Sequence, residues 1–245
     1  MNSTHPLSMN SSSPKSSRYE HRRGQIETYF DRTAADAWAR LTSTAPVGRI
    51  RATVRAGRDR MRQTLLDWLP EDLSGRRILD AGCGTGAFAI EAARRGAQVL
   101  AIDLSPTLVD LARERMPSEF RSHIEWRSGD MLDAALGSFD HVVAMDSLIH
   151  YQADDAVRVL SALADRTSKS IAFTFAPSSA ALQVMHGLGL LFPSANRAPS
   201  IVPIAPKNLR QRLAIAPALS QWKVNGTERI SSGFYTSQAM ELTRQ

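Results

Sequence analysis

At 245 residues, 43% of them hydrophobic and 22% charged, the chain is ordinary for a globular protein and long enough for one large core with an attached subdomain. No apolar stretch reaches the roughly 18–20 residues of a membrane-spanning helix, and the N-terminus lacks the apolar core of a secretory signal. One cysteine, Cys83, excludes an internal disulfide and points to a reducing cytosol, while a net charge of +6 favours anionic partners: a small molecule, nucleic acid or an anionic membrane surface.

The first 18 residues are dominated by Ser, Asn and Pro and read as a disordered tail, because they cannot bury enough apolar area to offset ordering entropy. Residues 19–70 read as a helical arm. It opens near Ile26, Tyr29 and Phe30, breaks around Pro46-Val47-Gly48 and resumes as a helix over 50–66. In that second helix Ile50, Val54, Met61 and Leu65 recur at near-helical spacing beside a stripe of Arg51, Arg55, Arg58 and Arg62. The stripe has three readings: a solvated face, an attractor of anionic lipid, or a guide for an acidic substrate or docking partner.

The main domain spans 71–245. Strands are predicted at Arg77–Asp80, Gln98–Asp103, Ile124–Ser128, His141–Met145 and Ser170–Phe175, with helices over 85–95, 106–116 and 153–166. That rhythm predicts an α/β fold with a parallel sheet covered on both faces. An insertion follows over 178–212, containing the proline-rich "FPSANRAPSIVPIAP". Then "WKVNGTERI" and "AMELTR" read as an antiparallel hairpin closing a mixed, seven-stranded sheet.

The stretch "LDAGCGTGAFAIEAARRGAQVLAIDLS" places Gly82, Gly84 and Gly86 between the first strand and a helix. A glycine turn there lets a ligand lie against backbone, where doubly wound sheets bind ligands. The spacing is G-x-G-x-G, which argues against the G-x-G-x-x-G of nicotinamide-dependent dehydrogenases, and no P-loop Lys-Ser/Thr follows. Asp103 ends the second strand, suited to a pair of ribose hydroxyls, and Asp130 in "GDM" suits an adenine amino group. The ordered set resembles the class I S-adenosylmethionine-dependent methyltransferases, whose Rossmann-like fold it implies. On that resemblance the donor site comprises Asp80, Gly82, Cys83, Gly84, Gly86, Asp103, Leu104, Asp130, Met131 and Met145, with Cys83 a small packing residue of the turn.

Four stretches outside those motifs are similar to the magnesium-protoporphyrin IX O-methyltransferase family of bacteriochlorophyll and chlorophyll synthesis: "YFDRTAADAW", "MDSLIHY", "LLFPSANRAPSIVP" and "GFYTSQAMELTR". The resemblance covers roughly 24–245. It implies methyl transfer from S-adenosylmethionine to a propionate of magnesium protoporphyrin IX, with magnesium arriving inside the porphyrin. Tyr29 and His150 are then the expected catalytic residues. Phe30, Tyr151, Phe192 and Arg197 are the expected substrate contacts, with the N-terminal helix and the insertion forming a lid. The large porphyrin-binding subunit of magnesium chelatase becomes a candidate partner, and a cytoplasmic protein touching the membrane peripherally is expected. Two other readings stay open: a quinone-type small-molecule O-methyltransferase, which needs a base or metal to deprotonate a phenol, and an RNA methyltransferase-like protein. Against the last, no aromatic-rich stacking platform or appended RNA-binding module is evident.

Overall fold

Short aliphatic runs alternate with amphipathic stretches along most of the chain, and each becomes the element its period demands. The computed structural model describes residues 14–31, 48–178 and 200–245. In chain order the helices and strands are α1 (Pro14–Tyr29), α2 (Arg49–Asp67), β1 (Arg77–Ala81), α3 (Ala87–Arg94), β2 (Gln98–Asp103), α4 (Pro106–Arg115) and β3 (Ile124–Ser128). They continue as β4 (Phe139–Ala144), α5 (Ala153–Ala164), β5 (Thr167–Phe175), α6 (Pro206–Ile215), β6 (Trp222–Ser232) and β7 (Tyr235–Arg244).

Seven strands form one sheet in the order β3-β2-β1-β4-β5-β7-β6. The first five are parallel, and the β6–β7 hairpin adds antiparallel through β7 against β5. The expected mixed sheet is present. Period-two alternation divides its core. Leu79, Leu100, Ile102, Val142, Ile171 and Phe173 face Val159, Leu160 and Leu163 of α5 and Leu209 and Leu213 of α6. On the other face Ile78, Val99, Ala101, Val143 and Ala172 meet Met61 and Leu65 of α2, Phe88 and Ala92 of α3, and Val109 and Ala112 of α4. With both faces covered, the central strands read as continuous apolar runs.

Several boundaries differ from expectation. Helix α1 begins at Pro14, inside the segment expected to be disordered to residue 18. Strands β4 and β5 start earlier, at Phe139 and Thr167, because the sheet extends pairing into residues of weak alternation. The end of the expected insertion is helical. Pro206 supplies a preset first-turn φ for α6, and Leu209 and Leu213 bury at its inner face. Phe192, Pro193, Arg197 and Pro199 lie outside the described residues.

One buried titratable group makes stability depend on pH. His141 of β4 is 5% exposed, its Nδ1 is 2.8 Å from Ser170 Oγ, and its Nε2 has no protein partner. Burial, reinforced by Lys169 and Arg76 and opposed by Asp140, lowers its pKa to about 4. The unfolded imidazole, near 6.5, therefore protonates first as pH falls, and stability is lost from pH 6.5 down towards 4. Urea unfolding between pH 6.5 and 4.5 is expected to show a slope steeper in the native chain than in His141→Gln, by up to about 1.4 kcal/mol per pH unit. Equal slopes would assign the acid sensitivity elsewhere.

Candidate active site

Parallel strands deliver all their carboxyl ends to one edge, and the loops leaving that edge enclose a cavity of about 500 Å³. Strand β1 supplies Asp80, and the turn after it supplies Gly82, Cys83 and Gly84. Asp103 ends β2 and Leu104 follows it, Gly129 and Met131 follow β3, and Met145, Asp146, Ser147, His150 and Tyr151 follow β4. The N-terminal arm completes the walls with Ile26 of α1, Phe30 just beyond it, and Arg55, Arg58, Asp59 and Arg62 of α2.

The three glycines have different physical reasons. The turn is lashed to β2 by Gly82 and Cys83 N–H groups donating to the Ile102 carbonyl at 2.8 and 3.0 Å. All three glycines have positive φ. A Cβ on Gly82 would fall 2.4 Å from Ser147 Cβ, and one on Gly86 would fall 2.3 Å from the Trp126 ring, so protein packing excludes side chains there. Gly84 has nothing within 4 Å of its Cβ position. Only this glycine opens onto free space, as a ligand cradle requires. Asp103 supports it from below, accepting from Gly84 N–H at 2.8 Å and Ser105 N–H at 3.0 Å. A carboxylate has about four acceptor positions, so two ribose hydroxyls can still be held.

Asp80 is 2% exposed, and its Oδ2 has no protein partner. Burial and then the charge of Asp103 push its carboxyl up to about 8. A buried acid with one oxygen lacking a protein partner, at the floor of an open cradle, fits a cationic ligand, which S-adenosylmethionine is. Burial raises the Cys83 thiol as well, in keeping with a packing residue. Leu104, Met131 and Met145 line the cavity.

Asp130 departs from its expected place. The cavity is lined by its neighbours Gly129 and Met131, while its own carboxylate accepts from Leu132 N–H at 2.9 Å, the Tyr19 hydroxyl at 3.2 Å and Arg23 at 2.6 Å. Tyr19 and Arg23 stand one helical turn apart on α1, so one acid anchors that face of the helix. The same periodicity separates Tyr29 from Phe30. Ile26 and Phe30 share a face and turn into the cavity, whereas Tyr29 lies outside the lining, half-buried, its ring edge-on to Phe30 at 5.2 Å. Burial raises the Tyr29 hydroxyl pKa.

His150 does line the cavity. It is 5% exposed, with Nδ1 3.4 Å from the Ser200 carbonyl and its ring 5.9 Å from that of Phe30. Tyr151 lines it too, stacked at 5.4 Å on Tyr19, and burial pushes its phenol up to about 12. Phe192 and Arg197 lie outside the described residues.

Asp146 was not singled out in the sequence. Among the described residues it is the one non-glycine with positive φ, 56°. It accepts from Arg58 at 2.5 Å, Thr174 Oγ1 at 3.2 Å, the Tyr235 hydroxyl at 3.2 Å and Ser237 Oγ at 3.4 Å. Its signal was present in "MDSLIHY", a short polar residue tolerant of the left-handed region at a strand end. Asp31 was likewise overlooked within "YFDRT". It accepts from Ser105 Oγ, Thr107 N–H and Thr107 Oγ1, capping α4.

The two kinds of glycine separate by measurement. Gly86→Ala combines left-handed strain with the Trp126 clash and should lose roughly 2–4 kcal/mol of stability. Gly84→Ala carries only the strain, about 1–2 kcal/mol, yet should weaken S-adenosylmethionine binding about tenfold by calorimetry; unchanged affinity would remove Gly84 from the cradle. Asp80 supplies a second test. Mostly protonated at pH 7, it should ionise beside the bound cation and release close to one proton, detected by calorimetry in buffers of different ionisation enthalpy. Asp80→Asn should abolish that release.

Residues 144–244 match the family model described as magnesium-protoporphyrin IX methyltransferase C-terminus, and residues 78–169 match a general methyltransferase domain. The chain is 49% identical over 226 residues to a magnesium-protoporphyrin O-methyltransferase of Rhodobacter capsulatus, covering 92% of this chain and 98% of that protein. It is 29% identical over 225 residues to the chloroplastic magnesium protoporphyrin IX methyltransferase of Arabidopsis thaliana, covering 88% of this chain and 69% of that one. The crystal structure of magnesium protoporphyrin IX methyltransferase from Synechocystis PCC 6803 with bound SAH has a TM-score of 0.79 at 26% identity, covering 91% of this chain and 100% of that one. The sheet is that of the class I S-adenosylmethionine-dependent methyltransferase fold. Because the likeness to the Rhodobacter protein runs through the arm, the donor core and the C-terminal strands alike, this chain belongs to the magnesium-protoporphyrin IX O-methyltransferase family.

Proposed function

We propose that this chain transfers the methyl group of S-adenosylmethionine to one propionate carboxylate of magnesium protoporphyrin IX, forming the monomethyl ester in bacteriochlorophyll or chlorophyll synthesis. The observation that carries the reading is one cavity whose floor is the open Gly84 cradle with Asp80 and Asp103, and whose walls combine Ile26, Phe30 and Tyr151 with His150 and arginines. A flat apolar ring bearing carboxylates calls for such a surface, greasy with a few placed polar groups.

The bound donor supplies an electrophilic methyl carbon on a positively charged sulfur. A propionate oxygen forms a bond to that carbon as the carbon–sulfur bond breaks, so the negative and positive charges disappear together. No proton moves. The carboxylate, with an ordinary pKa of about 4–5, is already ionised at neutral pH. What the chain must do is align the carboxylate and strip its water, because a reaction that cancels charge is helped by a dry surrounding. His150, buried and braced at the Ser200 carbonyl, orients the reacting carboxylate. Helix α1 supplies the cover: Arg23 and Tyr19 hold it to Asp130, and Asp31 holds its end to Thr107. Tyr29 acts at the rim of that cover. Delivery by the porphyrin-carrying subunit of magnesium chelatase and contact of the basic arm with an anionic membrane surface belong to the same proposal. Among the described residues no helix is long and apolar enough to cross a membrane.

The decisive experiment is incubation with methyl-labelled S-adenosylmethionine and magnesium protoporphyrin IX, followed by chromatography of the pigment. Label should move with the pigment and become base-labile, as an ester does. His150→Ala should lower kcat about 100-fold while leaving donor affinity within threefold. Label on RNA, on protein or on an added quinol but not on the pigment would overturn the reading.

A further inference from the structure

The substrate proposed above carries two propionates, and a monomethyl ester leaves one untouched. Something must keep the second carboxylate away from the donor. The cavity wall formed by α2 offers the chemistry. Arg55, Arg58 and Arg62 follow one another at i, i+3 and i+7, which places all three on one face, and all three line the cavity together with Asp59.

They stand on a fixed element. Ser232 Oγ donates to the Thr53 carbonyl at 2.9 Å, and Gly57 lies so close to the Tyr235 ring that a Cβ there would be 2.5 Å from Cδ1. Arg58 is committed to structure by its 2.5 Å pair with Asp146, their side chains 20% and 7% exposed. Arg62 is paired with Asp59 at 2.9 Å, but those side chains are 25% and 52% exposed. A solvated pair of this kind contributes little, so Arg62 can exchange its partner for another carboxylate at small cost. Arg55 also has an interaction within the protein. The arginine stripe is thus not merely a solvated face.

Resting on the porphyrin-carboxylate reading, we propose that Arg55 and Arg62 form an anion subsite that holds the propionate which is not methylated. The chemistry decides between the two carboxylates. A guanidinium in a bidentate pair binds the carboxylate lone pairs and stabilises their charge, which makes that group a poorer nucleophile. On the reacting propionate such a grip opposes the transfer, and on the spectator it costs the reaction nothing. His150, lining the same cavity, is left to meet the reacting group.

The test uses the full chain and compares binding, by Soret absorbance, of magnesium protoporphyrin IX and of its dimethyl ester. The native chain should prefer the diacid by at least tenfold. In the Arg55→Gln/Arg62→Gln double variant that preference should fall to within threefold, while S-adenosylmethionine affinity by calorimetry stays within twofold and reports an intact fold. Should the double variant lose donor binding, Arg62→Gln alone carries the test, with a threefold smaller preference expected. An undiminished preference in a folded variant overturns the subsite and leaves the methyl transfer standing, as does a native chain that methylates the porphyrin yet binds diacid and diester equally. A native chain that neither binds nor methylates the porphyrin overturns the subsite together with the function it rests on.

Discussion

The loops that leave β1 and β4 meet without room for a single methyl group between them. Strands β1 and β4 are neighbours, with Asp80 opposite Val143, so their carboxyl ends emerge side by side. From there the chain goes opposite ways, β1 into α3 on one face of the sheet and β4 towards α5 on the other. That divergence opens a crevice at the sheet edge, which is the general reason ligands bind at such switch points. Contact between Gly82 and Ser147 closes the crevice from behind, leaving Gly84 as the exposed part of the turn. Asp80 and Asp103 then sit beneath it, one without a protein partner at Oδ2 and the other spending both oxygens on backbone N–H groups.

The arm is joined to this edge through Asp146. One carboxylate gathers a guanidinium from α2, a hydroxyl from β5 and two hydroxyls from β7. Its backbone is held in the left-handed region, a strain that persists only where surrounding contacts over-determine it. The pair with Arg58 is mostly buried, and removing either partner would leave a charge uncompensated, a loss of about 3–5 kcal/mol in such settings. The arginines of α2 therefore face the cavity from a helix that cannot easily shift.

Helix α1 is attached by different means. Asp130 takes Tyr19 and Arg23, Tyr19 stacks on Tyr151, and Arg158 lies over the Tyr19 ring at 4.6 Å. At the other end Asp31 meets the first turn of α4, where the helix dipole favours negative charge. These contacts mix hydrogen bonds and an ion pair with a buried ring stack, and the apolar wall that this segment adds to the cavity comes from Ile26 and Phe30. Helix α1 is thus held at both ends, with apolar side chains turned towards the cavity.

Much of the fold was legible in neighbouring residues. Short apolar runs mark the central strands β1, β2, β4 and β5, and a glycine turn between an apolar strand and a helix marks the ligand edge, because run length and turn chemistry are local properties. Helix α6 was hidden by the prolines around it, and the start of α1 by the serines before it. The candidate site was legible only in part. Gly84, Asp103 and His150 could be placed from their strand ends, but the sequence by itself could not tell that Gly82 and Gly86 are glycine for the sake of Ser147 and Trp126. Nor could it choose between Tyr29 and Phe30, whose directions differ by one residue of helical rotation. The contacts made by Asp130 and Asp146, and the turning of Arg55, Arg58 and Arg62 towards the cavity, were decided by tertiary structure alone. Asp146 draws together positions 58, 174, 235 and 237, and no pattern in adjacent residues records contacts that exist only once the sheet has closed.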